Sequence, residues 1–233
     1  MADDMATRLA PLQRLQGVTA THLLIHEIYA SVQGESTHAG RPCTFIRTTT
    51  CNQRCRYCDT AYAFPEGEPM HIDDVVREAL AKGTGLVEIT GGEPLLQPLF
   101  TKLCERLLEA GCEVLVETGG SRDISCVPQG VKVILDIKTP GSGEEHANDY
   151  ENLNRLRPGD EIKFVLTSAQ DYGWARDLIR REKLHERATV LLSPAWKLVD
   201  PQELVQWMLA DAVPARLNLQ IHKYVWPPHK RGV

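Results

Sequence analysis

Three cysteines fall within one short run, Cys51-Asn-Gln-Arg-Cys55-Arg-Tyr-Cys58. Thiolates at this spacing can wrap one polynuclear centre from a single loop, and thiolate is the natural ligand of iron–sulfur clusters. A cubane with three cysteine ligands leaves one iron open to a small molecule. Structural zinc is the competing reading. It asks for a closed set of four ligands, which Cys43 or His71 could complete, although the chain has no second Cys-x2-Cys pair. A further run, Thr90-Gly91-Gly92-Glu93-Pro94, follows a predicted strand. Glycines allow a backbone to approach a ligand closely, and Glu93 could orient an ammonium group; read alone, the run is an ordinary turn. Polar residues also close other predicted strands: Glu117-Thr118-Gly119, Asp136-Ile137-Lys138 and Ser193-Pro194. The plainer reading of Glu117 and Lys138 is that they pair with each other. Cys43, Cys104, Cys112 and Cys126 read as small buried hydrophobes.

The chain that must position these groups has 233 residues, 42% hydrophobic and 24% charged. That composition fits a globular domain and disfavours disorder or coiled coil. Lys and Arg number 26 against 31 Asp and Glu, a net charge of −5, which argues against a general nucleic-acid binder. No apolar run approaches the roughly 20 residues of a membrane span. Asp3, Asp4, Arg8 and Arg14 do not fit a secretory signal. Residues 1–20 read as a poorly ordered lead-in to a single domain over 21–233, and a cytoplasmic location is expected. In a reducing compartment a tight cysteine group means a metal or cluster site before it means disulfides.

Strands are predicted at 23–30, 44–48, 86–90, 113–117, 131–136, 162–167, 189–193 and 216–221. Several are near-continuous apolar runs, as in strands buried on both faces. Helices are predicted at 72–82, 99–110, 172–183 and 201–209. The alternation predicts a parallel α/β sheet of the barrel kind, and in such folds function gathers at the C-terminal strand ends. Segments 49–70 and 139–160 read as long loops of the functional sort.

Cys-x3-Cys-x2-Cys with an aromatic, Tyr57, before the last cysteine resembles the signature of the radical S-adenosylmethionine (SAM) superfamily. The Thr90–Pro94 run resembles that superfamily's motif for the methionine amino group. The resemblance implies a partial or modified (β/α)6 barrel of parallel strands, with a [4Fe-4S] cluster whose open iron chelates SAM. A narrower resemblance joins Glu27 to Glu35, Gly40-Arg41-Pro42, Phe45-Ile46-Arg47, Cys58-Asp59-Thr60, His222-Lys223-Tyr224 and the closing Lys230-Arg231-Gly232-Val233. Together these are similar to the 7-carboxy-7-deazaguanine synthases of the 7-deazapurine (queuosine) pathway, over about residue 22 to the last.

That resemblance implies a lyase that converts 6-carboxy-5,6,7,8-tetrahydropterin to 7-carboxy-7-deazaguanine by radical ring contraction with loss of ammonia. It implies Mg2+, a reductant such as flavodoxin or ferredoxin, a homodimer, and no direct contact with nucleic acid or membrane. Carried over by position, Cys51, Cys55 and Cys58 ligate the cluster. Tyr57, Cys58, Asp59, Gly92, Glu93, Glu117, Asp136, Ile137, Lys138, Ser193, Pro194, Ala195 and Trp196 line the SAM site. Thr60 offers a hydroxyl to Mg2+, a hard cation that takes oxygen ligands. Val32, Gln33, Gly34, Glu35, Arg47, Thr90, His222 and Val233 bind substrate, Arg47 being suited to a carboxylate by its planar fork. Asp136-Ile137 departs from the Ser-Pro of some relatives, which points to backbone contributions there. A glycyl-radical-enzyme activase and a zinc-stabilised binding module are the two alternatives.

Overall fold

The computed structural model describes residues 12–15 and 18–233. Most of the expected lead-in therefore lies outside the described residues; Arg14, within them, donates to the carbonyls of Pro65 and Gly67.

The apolar runs become strands of one nine-stranded sheet, ordered β3-β1-β2-β4-β5-β6-β7-β8-β9. These are β1 (His22–Val32), β2 (Pro42–Thr48), β3 (Glu68–His71), β4 (Leu86–Gly91), β5 (Glu113–Thr118), β6 (Val131–Asp136), β7 (Glu161–Leu166), β8 (Thr189–Pro194) and β9 (Arg216–Leu217). From β2 to β9 every neighbour is parallel. The crossovers carry α1 (Ile72–Ala81), α2 (Phe100–Glu109), the single turn α3 (Asn152–Arg155), α4 (Ala169–Arg181) and α5 (Pro201–Asp211).

One edge departs from the parallel expectation: β1 runs antiparallel to both β2 and β3. Only residues 33–41 join β1 to β2, too few for the dozen or more that a parallel crossover needs. β3 falls inside a segment that reads as loop. Its Pro69 is tolerated because β3 is an edge strand with one neighbour. At the other edge the expected strand 216–221 shortens to β9, and the chain turns into the short helix α6 (His222–Val225).

Strand alternation divides the sheet into two faces. Ile89, Val116, Val133, Leu135, Ile162, Phe164 and Leu192 face outward. They share one apolar cluster with Val75, Leu103, Leu107, Ile179 and Leu204 of the helices. Inside the curl, Cys43, Phe45, Leu86, Leu115 and Ile134 form a smaller apolar floor. Two residues further along those same faces stand Arg47, Glu88, Glu117 and Asp136. The inner face thus changes from apolar to charged toward the C-terminal strand ends.

The barrel stays open at the level of strands, but its edges meet through loops. Ile221 donates its N–H to the Gly34 carbonyl at 2.9 Å, and Ser36 donates its own to Asn218 Oδ1 at 2.8 Å. Among the described residues no helix is long and apolar enough to cross a membrane.

Candidate active site at the C-terminal strand ends

The cysteine loop leaves the end of β2 through Thr50, which has φ +70°. A β-branched residue rarely adopts this left-handed region. It is held there because the Thr50 carbonyl accepts the Glu93 N–H at 2.8 Å. Gly92 lies directly against that carbonyl, and any side chain at 92 would overlap it. The glycine thus makes room for the backbone just before Cys51, where the sequence suggested room for a ligand.

Cys51 is buried, Cys55 and Cys58 are half-buried, and none is in a disulfide. Cys58 donates its N–H to the Cys55 carbonyl at 3.1 Å, and Cys51 Sγ accepts the Gln53 N–H at 3.4 Å. Burial pushes the Cys51 thiol up to about 12 and the Cys55 thiol up to about 11. Such thiols are poor free nucleophiles; a bound metal deprotonates them outright. Among the described residues no three His, Cys, Asp or Glu side chains converge closely enough to hold one metal ion. Cys43 belongs to the apolar floor and His71 caps α1, so neither completes a zinc set. A polynuclear centre, which draws its thiolates from separated points, suits this loop better.

Glu93 is fully buried. Its carboxylate accepts from Leu95 N–H at 3.1 Å, Thr118 Oγ1 at 2.8 Å and Gly119 N–H at 2.9 Å. It therefore ties the end of β4 to the end of β5. Thr118→Val keeps the shape and removes one donor from a buried carboxylate. The expected cost is about 1–3 kcal/mol, read as a lower melting temperature with iron content unchanged.

Glu117 and Lys138 do not pair with each other. Lys138 Nζ bonds Asp136 Oδ2 at 2.8 Å. Glu117 pairs with Lys163, which also reaches Glu35 Oε2 at 3.0 Å and Asp136 Oδ2 at 3.7 Å. The reason is register. Lys163 stands on the inward face of β7 opposite Asp136 of β6, within reach of Glu117 on β5. Lys163 sits in an otherwise apolar run, so strand periodicity was the only signal for it.

The Gln33–Glu35 turn is fastened on several sides. Gln33 Nε2 donates to Glu88, and Gln33 Oε1 accepts the Glu35 N–H at 2.9 Å. Glu35 also accepts from Gln220 Nε2 at 2.9 Å. Burial works to raise its carboxyl, yet Lys163, Gln220 and His222 outweigh this and hold it at about 2. Gly34 faces the His222 ring, whose place a side chain at 34 would take. Burial lowers the His222 pKa below its ordinary value. Arg47 bonds Glu27 Oε1 and Tyr29 Oη, each at 2.8 Å, in register with Thr90. Val32 ends β1 immediately before the turn.

The C-terminal segment joins the two motif groups. Lys223 Nζ bonds Asp59 Oδ2 at 2.6 Å and Gln220 Oε1 at 2.8 Å. Arg231 lies 3.9 Å over the Tyr62 ring, and Gly232, one residue before Val233, approaches Glu27. Asn218 and Gln220 were not singled out in the sequence, and Lys223 only as part of the His222-Lys223-Tyr224 motif without a role; what they do depends on the barrel edges meeting.

Three buried polar atoms here have no partner: Tyr57 Oη, Asp136 Oδ1 and Trp196 Nε1. Each costs free energy until a ligand or water satisfies it. A cleft of about 270 Å³ opens beside Trp196, lined by Pro194, Gln220 and Tyr224. Other positions offer less. The Ile137 side chain belongs to the outer core, Ser193 Oγ accepts from Asn218 Nδ2 at 2.7 Å, and Ala195 is buried. Thr60 Oγ1 is 3.7 Å from Cys58 Sγ. A larger cleft of about 410 Å³ lies at the β1–β3 edge beside His26 and Glu78, away from the cysteines.

A parallel, incompletely closed barrel with a Cys-x3-Cys-x2-Cys loop at its C-terminal mouth defines a radical SAM protein, and the Radical SAM superfamily model matches residues 45–187. The 7-carboxy-7-deazaguanine synthase of Koribacter versatilis is 46% identical, with 90% of this chain and 99% of that protein covered. That of Chlorobaculum tepidum is 41% identical over 92% of this chain and 99% of its own. The crystal structure of QueE from Escherichia coli superposes with a TM-score of 0.71 at 21% identity, covering 89% of this chain and 97% of that one; it attests the fold. The chain belongs to the 7-carboxy-7-deazaguanine synthase family. These matches do not favour the activase or the zinc module.

Proposed function

We propose that this chain converts 6-carboxy-5,6,7,8-tetrahydropterin to 7-carboxy-7-deazaguanine with loss of ammonia. What carries the reading is the union of two motif groups at one mouth. Segment 218–223 bonds Glu35 of the substrate turn through Gln220 and Asp59 of the cysteine loop through Lys223.

Cys51, Cys55 and Cys58 hold the cluster in this reading. A reduced cluster held there together with SAM would supply carbon-radical chemistry. The chain's own share is orientation and exclusion of water. Tyr57, Asp136 and Trp196 offer their unpartnered atoms to SAM, and the backbone of 136–138 and 193–196 shapes the rest of its site. Gly92 and Glu93 act by seating the cysteine loop against β4 and β5, and Glu117 by fixing Lys163. Arg47 takes the substrate carboxylate, with Val32, Gln33, Gly34, Glu35, Thr90 and His222 around the ring and Val233 closing the mouth. Thr60 would offer one hydroxyl to Mg2+; Asp59 beside it is engaged by Lys223, so a hard cation there would draw mainly on substrate and water for oxygens. The reading extends to one domain over 21–233, a flavodoxin or ferredoxin as reductant, a homodimer, and a cytoplasmic location.

The test is anaerobic purification with iron and sulfide reconstitution, then SAM, dithionite, Mg2+ and the pterin. A brown protein that yields the deazapurine is the expected result. A brown protein that cleaves SAM and leaves the pterin intact rejects the substrate. A colourless protein holding zinc rejects the mechanism.

A further inference from the structure

Glu88 is a buried acid with no role in the account above. It stands on β4 in register with Phe45 of β2 and Leu115 of β5. Both neighbours belong to the apolar floor, so Glu88 marks the level at which the inner face turns polar. One step above it lie Thr90 on the same strand and Arg47 and Glu117 on the strands to either side. It is 2% exposed.

The cations around it are committed elsewhere. Lys163 is shared by Glu35, Glu117 and Asp136, Lys138 is held by Asp136, and Arg47 is held by Glu27. Among the described residues the one side-chain hydrogen bond to the Glu88 carboxyl comes from the neutral amide of Gln33, which donates Nε2 to Oε2. Oε1 has no partner among the described residues, yet it is not sealed from solvent. A buried carboxyl among carboxylates, without a cation of its own, keeps its proton. Burial and Glu117 push the Glu88 carboxyl well above the ordinary carboxylate range.

We infer that Glu88 sets substrate specificity from the floor of the chamber as a neutral acid, its Oε2 accepting the Gln33 amide and its Oε1 hydroxyl donating to a ring carbonyl oxygen of the bound heterocycle. This rests on the proposed pterin reaction and adds to it the group that reads oxo against amino. A buried donor with no acceptor opposite is penalised, so an amino group in place of the ring oxo should be disfavoured. The same contact steadies Gln33, whose other amide atom holds the Glu35 N–H.

Calorimetry on the SAM-loaded, unreduced protein under anaerobic conditions tests this without turnover. The probes are 6-carboxy-5,6,7,8-tetrahydropterin and its analogue with an amino group replacing the ring oxo. Glu88→Gln presents a neutral acceptor and donor in the same shape, and should hold the pterin within about threefold of the unaltered protein. Glu88→Leu and Glu88→Asp should bind it roughly tenfold or more weakly, the loss expected for one buried hydrogen bond. Both should also lose most of the preference for oxo over amino, while iron content and SAM affinity stay unchanged. Glu88→Asp keeps the acid and shortens its reach, so it decides the matter if the leucine variant does not fold. Unchanged affinity and preference in the aspartate variant overturn the inference. So does a glutamine variant as weak as the leucine one, since the ionised form is then required. Failure of the unaltered protein to bind or turn over the pterin rejects the functional reading itself, and this inference with it.

Discussion

Cys55→Ala is expected to give a colourless protein that neither cleaves SAM nor forms product. Cys55 is the middle one of the three proposed cluster ligands, and neither Cys43 nor His71 is placed to replace it. Cys43 lies in the floor of the barrel, and His71 is engaged at the start of α1. Two thiolates leave two corners of a cubane without protein ligands, so the loss should be complete. The fold should survive, because Cys55 is not part of the main apolar cluster. Iron and sulfide analysis, the visible spectrum and a SAM-cleavage assay measure the effect, with circular dichroism as the control. Cys126→Ala, at an exposed position, should keep both colour and activity. A Cys55→Ala protein that retains its full iron content would remove Cys55 from the ligand set.

Lys163→Met should be the most damaging substitution to stability. Lys163 is 3% exposed and is shared by Glu117, Glu35 and Asp136. Methionine fills a similar volume and leaves carboxylates buried beside one another with less positive charge. Breaking a buried ion pair by removing one partner costs about 3–5 kcal/mol. The pH dependence has a definite sign. In the unaltered protein Glu35 is held at about 2, below its unfolded value of roughly 4.3. Its contribution is therefore present above that unfolded value and is lost as pH falls toward 2. Without Lys163 the orphaned carboxyls rise above their unfolded values, so stability is gained by protonation and lost as pH rises. Denaturant melts should show a deficit that is large near pH 8 and smaller near about pH 5. A deficit that is constant with pH would mean that packing, not charge, is what Lys163 supplies.

Most of the strands and the longer helices were legible in the residue pattern, and the three cysteines stood out as a candidate ligand set. Apolar runs such as 131–136 became strands with almost unchanged bounds, because hydrophobic periodicity is local. The cysteine loop was legible because a ligand set within one loop carries its own spacing. The Thr90–Pro94 run was visible too, but its physical work was not. Gly92 makes room for Thr50, about forty residues earlier in the chain, and Glu93 clamps β4 to β5 through Thr118 and Gly119, about twenty-five residues later.

The pairing of charges and the direction of the first strand emerge only once the sheet is assembled. Lys163 found Glu117 because strand order and register set which inward side chains meet, and Lys138 turned back to Asp136, two residues earlier, instead of reaching Glu117. The short 33–41 link makes β1 antiparallel, a constraint of chain length that apolar pattern does not express. Closure of the barrel is likewise a matter of where its edges lie. Asn218 and Gln220 are ordinary polar residues in the sequence, and with Lys223 they join the Gln33–Glu35 turn to the cysteine loop because the curl of the sheet brings its first and last strands together. Electrostatic neighbours of this kind come from distances between segments far apart in sequence, and residue types alone do not encode those distances.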